Sequence, residues 1–342
     1  MTDNKSKPNM PAAPFGTRND LFAGLPAIKH HRILELLEPP LQNELKTVLV
    51  DTDTYNEIDD QFALIHILLT ERQRSDLEVV AITAAPFHNA ARNTKDYEHG
   101  MLLSYQEIHR VLDTLDIRWP GQVFKGSSNR MTVSGSMPIE SEAADAICEI
   151  ALSRSSSDSP LYIVALGALT NVASAILKKP EIRDRVVVCT LGGAPFNLNG
   201  FTDFNYMQDM PAAQFVFSCG VPVVHFPGYS VTDNLRTSRW ELKANLGDSP
   251  AGTFLMDRYM EFVKDYPGRS KPIWDLAPGI WVIDPQWLLS EVRHSPLLTD
   301  ENRWVDKVDN HPVRAVRWIN RDAVFQNFFE LLNPQSWPQP RF

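Results

Sequence analysis

Short β-branched runs alternate along the chain with stretches whose apolar residues recur at helical spacing. Thr47–Val50 is a strand-like run that ends abruptly in acids, and Gln61–Leu69 follows with a helical period. Leu77–Thr83 reads as a second strand, then a loop, Ala85–Asn89, then a helix near Thr94–Leu112. The alternation continues through helix Ser141–Leu152, strand Pro160–Ala165, helix Val172–Lys178, strand Val186–Leu191, helix Pro211–Cys219 and strand Val221–Phe226. Residues 239–295 read as mainly helical. Val313–Trp318 is a late strand, and Arg321–Leu332 a closing helix. This order predicts an α/β fold: an open, mostly parallel β-sheet flanked by helices, in one large domain.

The ends differ from this pattern. Residues 1–20 are rich in Pro, Asn, Lys and Ser and are expected to form a mobile, dispensable arm. Residues 29–37 have helical spacing, and Pro39 and Pro40 stop that helix. The expected division is an arm with a short helix over 1–45, the α/β domain over 46–335 and a tail over 336–342.

Composition narrows the function. Of 342 residues, 43% are hydrophobic and 22% charged, as in ordinary globular chains. The net charge of −9 argues against a nucleic-acid partner. No stretch approaches the ~20 apolar residues that span a bilayer, and the polar N-terminus lacks a signal-peptide core. Cys148, Cys189 and Cys219 are too scattered for a disulfide framework or a zinc site, so a cytoplasmic location is expected.

Open α/β sheets bind ligands beyond the carboxyl ends of their strands. The first strand-exit loop is the most informative: Asp51, Asp53, Glu57, Asp59 and Asp60 fall within ten residues, with nothing basic among them. A divalent cation held by hard oxygens resolves that repulsion. The competing reading is a solvated acidic loop whose last acids favour the start of the next helix. An EF-hand is rejected, because its sixth and twelfth positions are Asn56 and Phe62. A metal-dependent phosphatase with a strand followed by DxDx[TV] is the second acidic pattern. Tyr55 stands in place of its Thr or Val.

The same loop resembles the DxDPGxDD motif of the inosine-uridine preferring nucleoside hydrolase family, with Asp51-x-Asp53 followed by Asp59-Asp60. It is two residues longer and lacks the Pro-Gly. Three later segments follow in the family's order. Leu166–Asn171 (LGALTN) resembles GGLTN. Leu191–Ala194 (LGGA) with Phe201–Asn205 (FTDFN) resembles GGG…EFN. Trp274-Asp275 before an IDP segment resembles the family's late Asp. The resemblance covers roughly residues 46–335.

It implies a nucleoside N-ribohydrolase with Ca2+ held by Asp53, Asp60, the backbone carbonyl of Thr170 and Asp275. Asp53 is then also the general base, taking a proton as water attacks the anomeric carbon. Asp59, Asp203 and Asn205 hold sugar hydroxyls. Asn199 is a further ribose contact, with Asn197 as its alternative. Asn89 is another, with His88 beside it as the alternative. Asp51 braces the loop, and Trp274 stacks on the base. Many members carry His where Trp274 stands; the purine-preferring branch has Trp-Asp, so a purine preference is implied. Trp119, Tyr55, Phe87 and Trp240 are candidates for an opposing aromatic wall. A homodimer or homotetramer is the family-based expectation.

Each residue also has an ordinary reading. Thr170 and Asn171 can cap a helix, Asp203 can be a surface turn residue, and Trp274 can be core. The leading reading is calcium-dependent hydrolysis of ribonucleosides to ribose and base. The alternatives are a phosphatase using Asp51 and Asp53, and a ribosyl-binding scaffold of altered substrate or no turnover.

Overall fold

Every position of Lys46–Thr52 is buried, so this strand has neighbours on both edges and side chains packed on both faces. It is β1 in the computed structural model, which describes residues 25, 28–116, 119–131, 137–155, 158–198 and 203–334. The sheet's other strands are β2 (Leu77–Ala84), β3 (Gln122–Phe124), β4 (Leu161–Ala165), β5 (Val186–Leu191), β6 (Val223–Phe226), β7 (Leu288–His294) and β8 (Pro312–Ile319). Their order is β3-β2-β1-β4-β5-β6-β8-β7. All neighbours are parallel except β7, which runs antiparallel to β8.

The helices are α1 (His30–Leu36), α2 (Asp59–Gln73), α3 (Tyr97–Thr114), α4 (Glu142–Leu152), α5 (Thr170–Lys178) and α6 (Phe204–Gln208). Then come α7 (Met210–Val216), α8 (Arg239–Asn245), α9 (Pro250–Phe262), α10 (Leu276–Ile283) and α11 (Arg321–Leu332). Successive residues of a strand point to opposite faces. Val48 and Val50 therefore enter a core with α2, α3, α10 and α11, while Leu49 enters a second core with α4, α5 and α7. The predicted open parallel sheet, covered on both faces, is the fold observed. α1 packs Ile33 and Leu36 into the first core.

The stretch 239–295 is not all helical. Leu288–His294 forms β7, an edge strand. Its exposed residues outnumber its buried ones, so no apolar period marks it. The three-residue β3, at the opposite edge, also went unread. The helix expected from Thr94 starts at Tyr97, because Asp96 caps it by accepting from the His99 N–H at 2.8 Å. The mobile stretch expected over residues 1–20 and the tail lie outside the described residues, whereas the short helix expected over 29–37 is present as α1. No described helix is long and apolar enough to cross a membrane.

One topological feature positions the site. From β1 the chain moves outward through β2 and β3, and later resumes on β1's other side with β4. The exit loops of β1 and β4 thus diverge at the point where strand order reverses. There a crevice opens beyond the carboxyl ends.

Candidate active site

The β1 exit is built from inside the sheet outward. Asp51 is fully buried, and its Oδ1 accepts from Thr83 Oγ1 (2.7 Å) on β2 and Asn171 Nδ2 (2.8 Å) on α5. Burial pushes its carboxyl up to about 6 against those two donors. Two residues on, Asp53 is 2% exposed. Its Oδ2 accepts from Asn56 Nδ2 at 3.2 Å. Gly167, in the β4 exit loop, lets that loop lie against Asp53: a Cβ there would sit 3.1 Å from the Asp53 Cβ.

Asp59 and Asp60 occupy the first turn of α2, where the helix dipole favours negative charge. Both are buried, so the solvated-loop reading does not hold. Thr52 Oγ1 donates to Asp60 Oδ1. The late segment brings Asp275, just ahead of α10, against this turn. Oxygens of Asp59, Asp60 and Asp275 lie within 4.8 Å of one another. Asp59 Oδ1 and Asp275 Oδ1 are buried without a hydrogen-bond partner among the described residues.

Burial raises all four carboxyls, and mutual repulsion adds to it. Asp53 and Asp275 are held well above the usual range by burial and then by Asp60. Asp60 is pushed up to about 7 by burial and Asp59. Asp59 is raised by burial, with Lys271 opposing. Such a group is costly while ionised and unpaired. Hard, buried, partly orphaned oxygens at this spacing suit a divalent cation of the calcium or magnesium type.

These acids lie in a cavity of about 270 Å³. Seven acidic side chains line it and, among the described residues, no Lys or Arg does. Asp203 and Asn205 lie on its wall. Asp203 caps α6, its Oδ2 accepting from the Tyr206 N–H at 2.7 Å, and burial pushes it up to about 6. Asn205 Nδ2 donates to the Leu166 carbonyl (2.7 Å) and the Leu191 carbonyl (3.2 Å), joining the β4 and β5 exits. Trp274 also lines the cavity; its Nε1 donates to Asp233 Oδ1 at 2.8 Å.

Other expected residues fall elsewhere. Thr170 opens α5 and its hydroxyl donates to Asp209 Oδ2 at 2.7 Å, but it is not among the cavity residues. Asn89 is not on the cavity wall either; it caps a short 3-10 turn and donates to Asn56 Oδ1 at 2.8 Å. His88 is exposed, with Nδ1 3.0 Å from Thr94 Oγ1. Asn197 lies exposed away from the cavity, and Asn199 lies outside the described residues.

A profile of the inosine-uridine preferring nucleoside hydrolase family matches residues 48–326. The chain belongs to that family. It is therefore an enzyme of the ribonucleoside hydrolase class. The pyrimidine-specific ribonucleoside hydrolase RihA of Salmonella typhimurium is 25% identical over 281 residues, 75% of this chain and 83% of that protein. RihA of Citrobacter koseri is 30% identical over 162 residues, 44% of this chain and 47% of that protein. Among solved structures, a purine-preferring ribonucleoside hydrolase from Gardnerella vaginalis aligns with a TM-score of 0.63 at 22% identity. It covers 84% of this chain and 98% of that one. An inosine-guanosine nucleoside hydrolase aligns at 0.64 and 18% over the same shares. These structural likenesses support the fold.

Several features of this hydrolase were not foreseen. Lys271 is 1% exposed, with Nζ bonded to Glu57, 3.4 Å from Asp59 Oδ1 and 4.1 Å from the Trp274 ring centroid. Asn56, Glu57, Asp233 and Tyr229 also line the cavity. The four aromatics suggested for a second wall do not line it; Tyr229 and Phe204 do. Phe87 is core, and Trp119 Nε1 is committed to the Val79 carbonyl at 3.2 Å. The one signal available for Lys271 was a basic residue four positions before the late Asp.

Proposed function

We propose that this hydrolase splits ribonucleosides into ribose and free base, using Ca2+ and Asp53 as general base. The observation that carries the reading is the trio Asp59, Asp60 and Asp275 beside Asp53 at the floor of an acidic cavity. Asp53, Asp60, Asp275 and the Thr170 carbonyl are the proposed ligands. Asp59 is close enough to its neighbours to share the ion as well as to take a sugar hydroxyl. Bound calcium supplies charge neutralisation and an oxygen-coordinating anchor for the sugar.

The chain's own groups do the rest. Asp53 takes the proton from a water as its oxygen bonds to the anomeric carbon. The bond to the base breaks, and the base leaves with the electron pair and takes a proton from solvent, to which Asp53 later returns the one it accepted. The developing oxocarbenium charge lies in a cavity lined by carboxylates, which stabilise it. Asp203 and the Oδ1 of Asn205 accept from sugar hydroxyls; the Asn205 amide donors are already committed. Trp274 and Tyr229 hold the base. Indole is not a general acid, and its N–H is held by Asp233, so Trp274 acts by stacking. A large apolar wall favours purines, whereas the two RihA relatives are pyrimidine-specific by name.

The phosphatase alternative needs Asp51 at the cavity, but Asp51 is not among the cavity residues: it is fully buried, with its Oδ1 held by Thr83 and Asn171. A homodimer or homotetramer in the cytoplasm remains our expectation; light scattering checks the first. The deciding experiment is ribose release from a nucleoside panel, with calcium and with chelator. Calcium-dependent release, lost in Asp53→Ala and Asp275→Ala, is expected. Tight calcium binding without release from any nucleoside would favour a scaffold of altered substrate. Trp274→Ala should raise KM more for purines than for pyrimidines; an equal rise would remove the stacking role.

A further inference from the structure

Asn56 belongs to the stretch by which the acidic loop exceeds the family motif. Each of its backbone and side-chain polar atoms is nevertheless bonded within the protein, and it is 5% exposed on the cavity wall. Its N–H donates to the Asp53 carbonyl at 2.7 Å, and its Nδ2 to Asp53 Oδ2 at 3.2 Å. Its carbonyl accepts from Arg92 Nε at 2.5 Å, and its Oδ1 from Asn89 Nδ2 at 2.8 Å. Asn89 is anchored in turn: its Oδ1 accepts from the Ala91 N–H at 3.0 Å, and its N–H donates to Thr94 Oγ1 at 2.7 Å. Amide donors thus run in one direction, from Asn89 through Asn56 to Asp53. The donor from Asn89 sets which way the Asn56 amide faces, because Oδ1 must meet it and Nδ2 must then meet Asp53.

We propose that Asn56 is a positioning residue that orients the Asp53 carboxylate, with Asn89 as its support. This rests on Asp53 being the general base. The torsion that turns a carboxylate is broad and roughly two-fold, so without a donor it has no single setting. The Asn56 bond holds one oxygen; the other accepts no hydrogen bond among the described residues. A base aimed this way waits in position for the water. On this account the longer loop is a brace for the reaction rather than a displacement of it. Asn89 acts two hydrogen bonds away from Asp53 instead of touching ribose.

The test measures kcat, KM and calcium affinity (by titration calorimetry) for Asn56→Ala, Asn89→Ala and Asp53→Asn, in the full chain with saturating calcium during turnover. Because misplacing a reacting group by ~1 Å costs on the order of 100-fold, Asn56→Ala is expected to lower kcat by about 30- to 100-fold. KM should stay near wild type, and calcium affinity should fall far less than kcat, because Asp60, Asp275 and the Thr170 carbonyl still hold the ion. Asn89→Ala should lower kcat in the same way but less. Adding Asn56→Ala to Asp53→Asn should leave the residual rate unchanged, since the group it orients no longer acts. A change in KM alone would make Asn56 a substrate contact and overturn the proposal. So would a parallel loss of calcium affinity, or a full additional loss on Asp53→Asn. If Asn56→Ala does not fold, the kcat and KM split of Asn89→Ala decides. Full activity in Asp53→Asn would sink the base assignment itself. An inactive Asp53→Asn beside an unaffected Asn56→Ala would sink only the positioning role.

Discussion

Lys271 shows how a single side chain can matter to both ends of the site. Its ammonium is buried and faces Glu57, Asp59 and the Trp274 ring, so it partly offsets the acidic cluster and packs against the indole. Burial disfavours its charge, yet the charges of Asp59 and Glu57 keep it raised and protonated. Removing one member of a buried pair leaves an uncompensated charge. Lys271→Met is therefore expected to destabilise the cation-free protein by about 3 kcal/mol. Urea unfolding in chelator checks this, and Lys271→Arg should recover part of the loss. The acids at this site were legible in the sequence because they crowd one loop. Lys271 and Asn56 were not, because their roles depend on partners brought together by folding. Lys271 pairs with a residue 214 positions away.

At the scale of elements, the central strands were the readable ones. β1, β4, β5 and β6 are buried at every position and are centred on short apolar, β-branched runs, the mark of a doubly covered parallel sheet. The edges β3 and β7 lack that mark because only part of each strand meets the core. The exit loops depend on close backbone approach, and Gly167 is the point where the β4 exit meets Asp53. A Cβ at Gly167 would lie 3.0 Å from Ala85 Cβ and 3.2 Å from Asp53 Cγ, so neighbours must move by a few tenths of an ångström. Gly167→Ala is expected to fold but to lower kcat by about tenfold through displacement of Asp53. Near-wild-type kcat with a lowered Tm would instead make the glycine a packing residue only.

At the scale of the whole molecule, the site stores like charge, and stability depends on what neutralises it. Asp51 and Asp203 are both pushed up to about 6 by burial, above the ordinary carboxylate value near 3.8. A carboxyl raised on folding favours the native state fully below its unfolded pKa, and that contribution is lost as pH rises through the folded value. In chelator, Tm should therefore fall between about pH 4 and pH 7, subject to the other groups that titrate there. Calcium at 100 times its Kd should add about 2.7 kcal/mol at neutral pH. Thermal melts across pH, with and without calcium, check both. A calcium-independent Tm would argue against a cation at the acidic floor.

The sequence by itself determined the alternation of strands and helices, and so the parallel sheet. It also set the crowding of carboxylates after β1 and the order of the later motifs. These are local properties: period, composition and spacing survive in the unfolded chain. The tertiary structure alone decided which of those groups share a cavity. It brought Asp275 against Asp59 and Asp60, bonded Asn89 to the cavity residue Asn56, and buried Lys271 against Trp274. Those outcomes follow from where the exit loops of β1 and β4 part and from the packing of residues far apart in the chain. No local pattern encodes them.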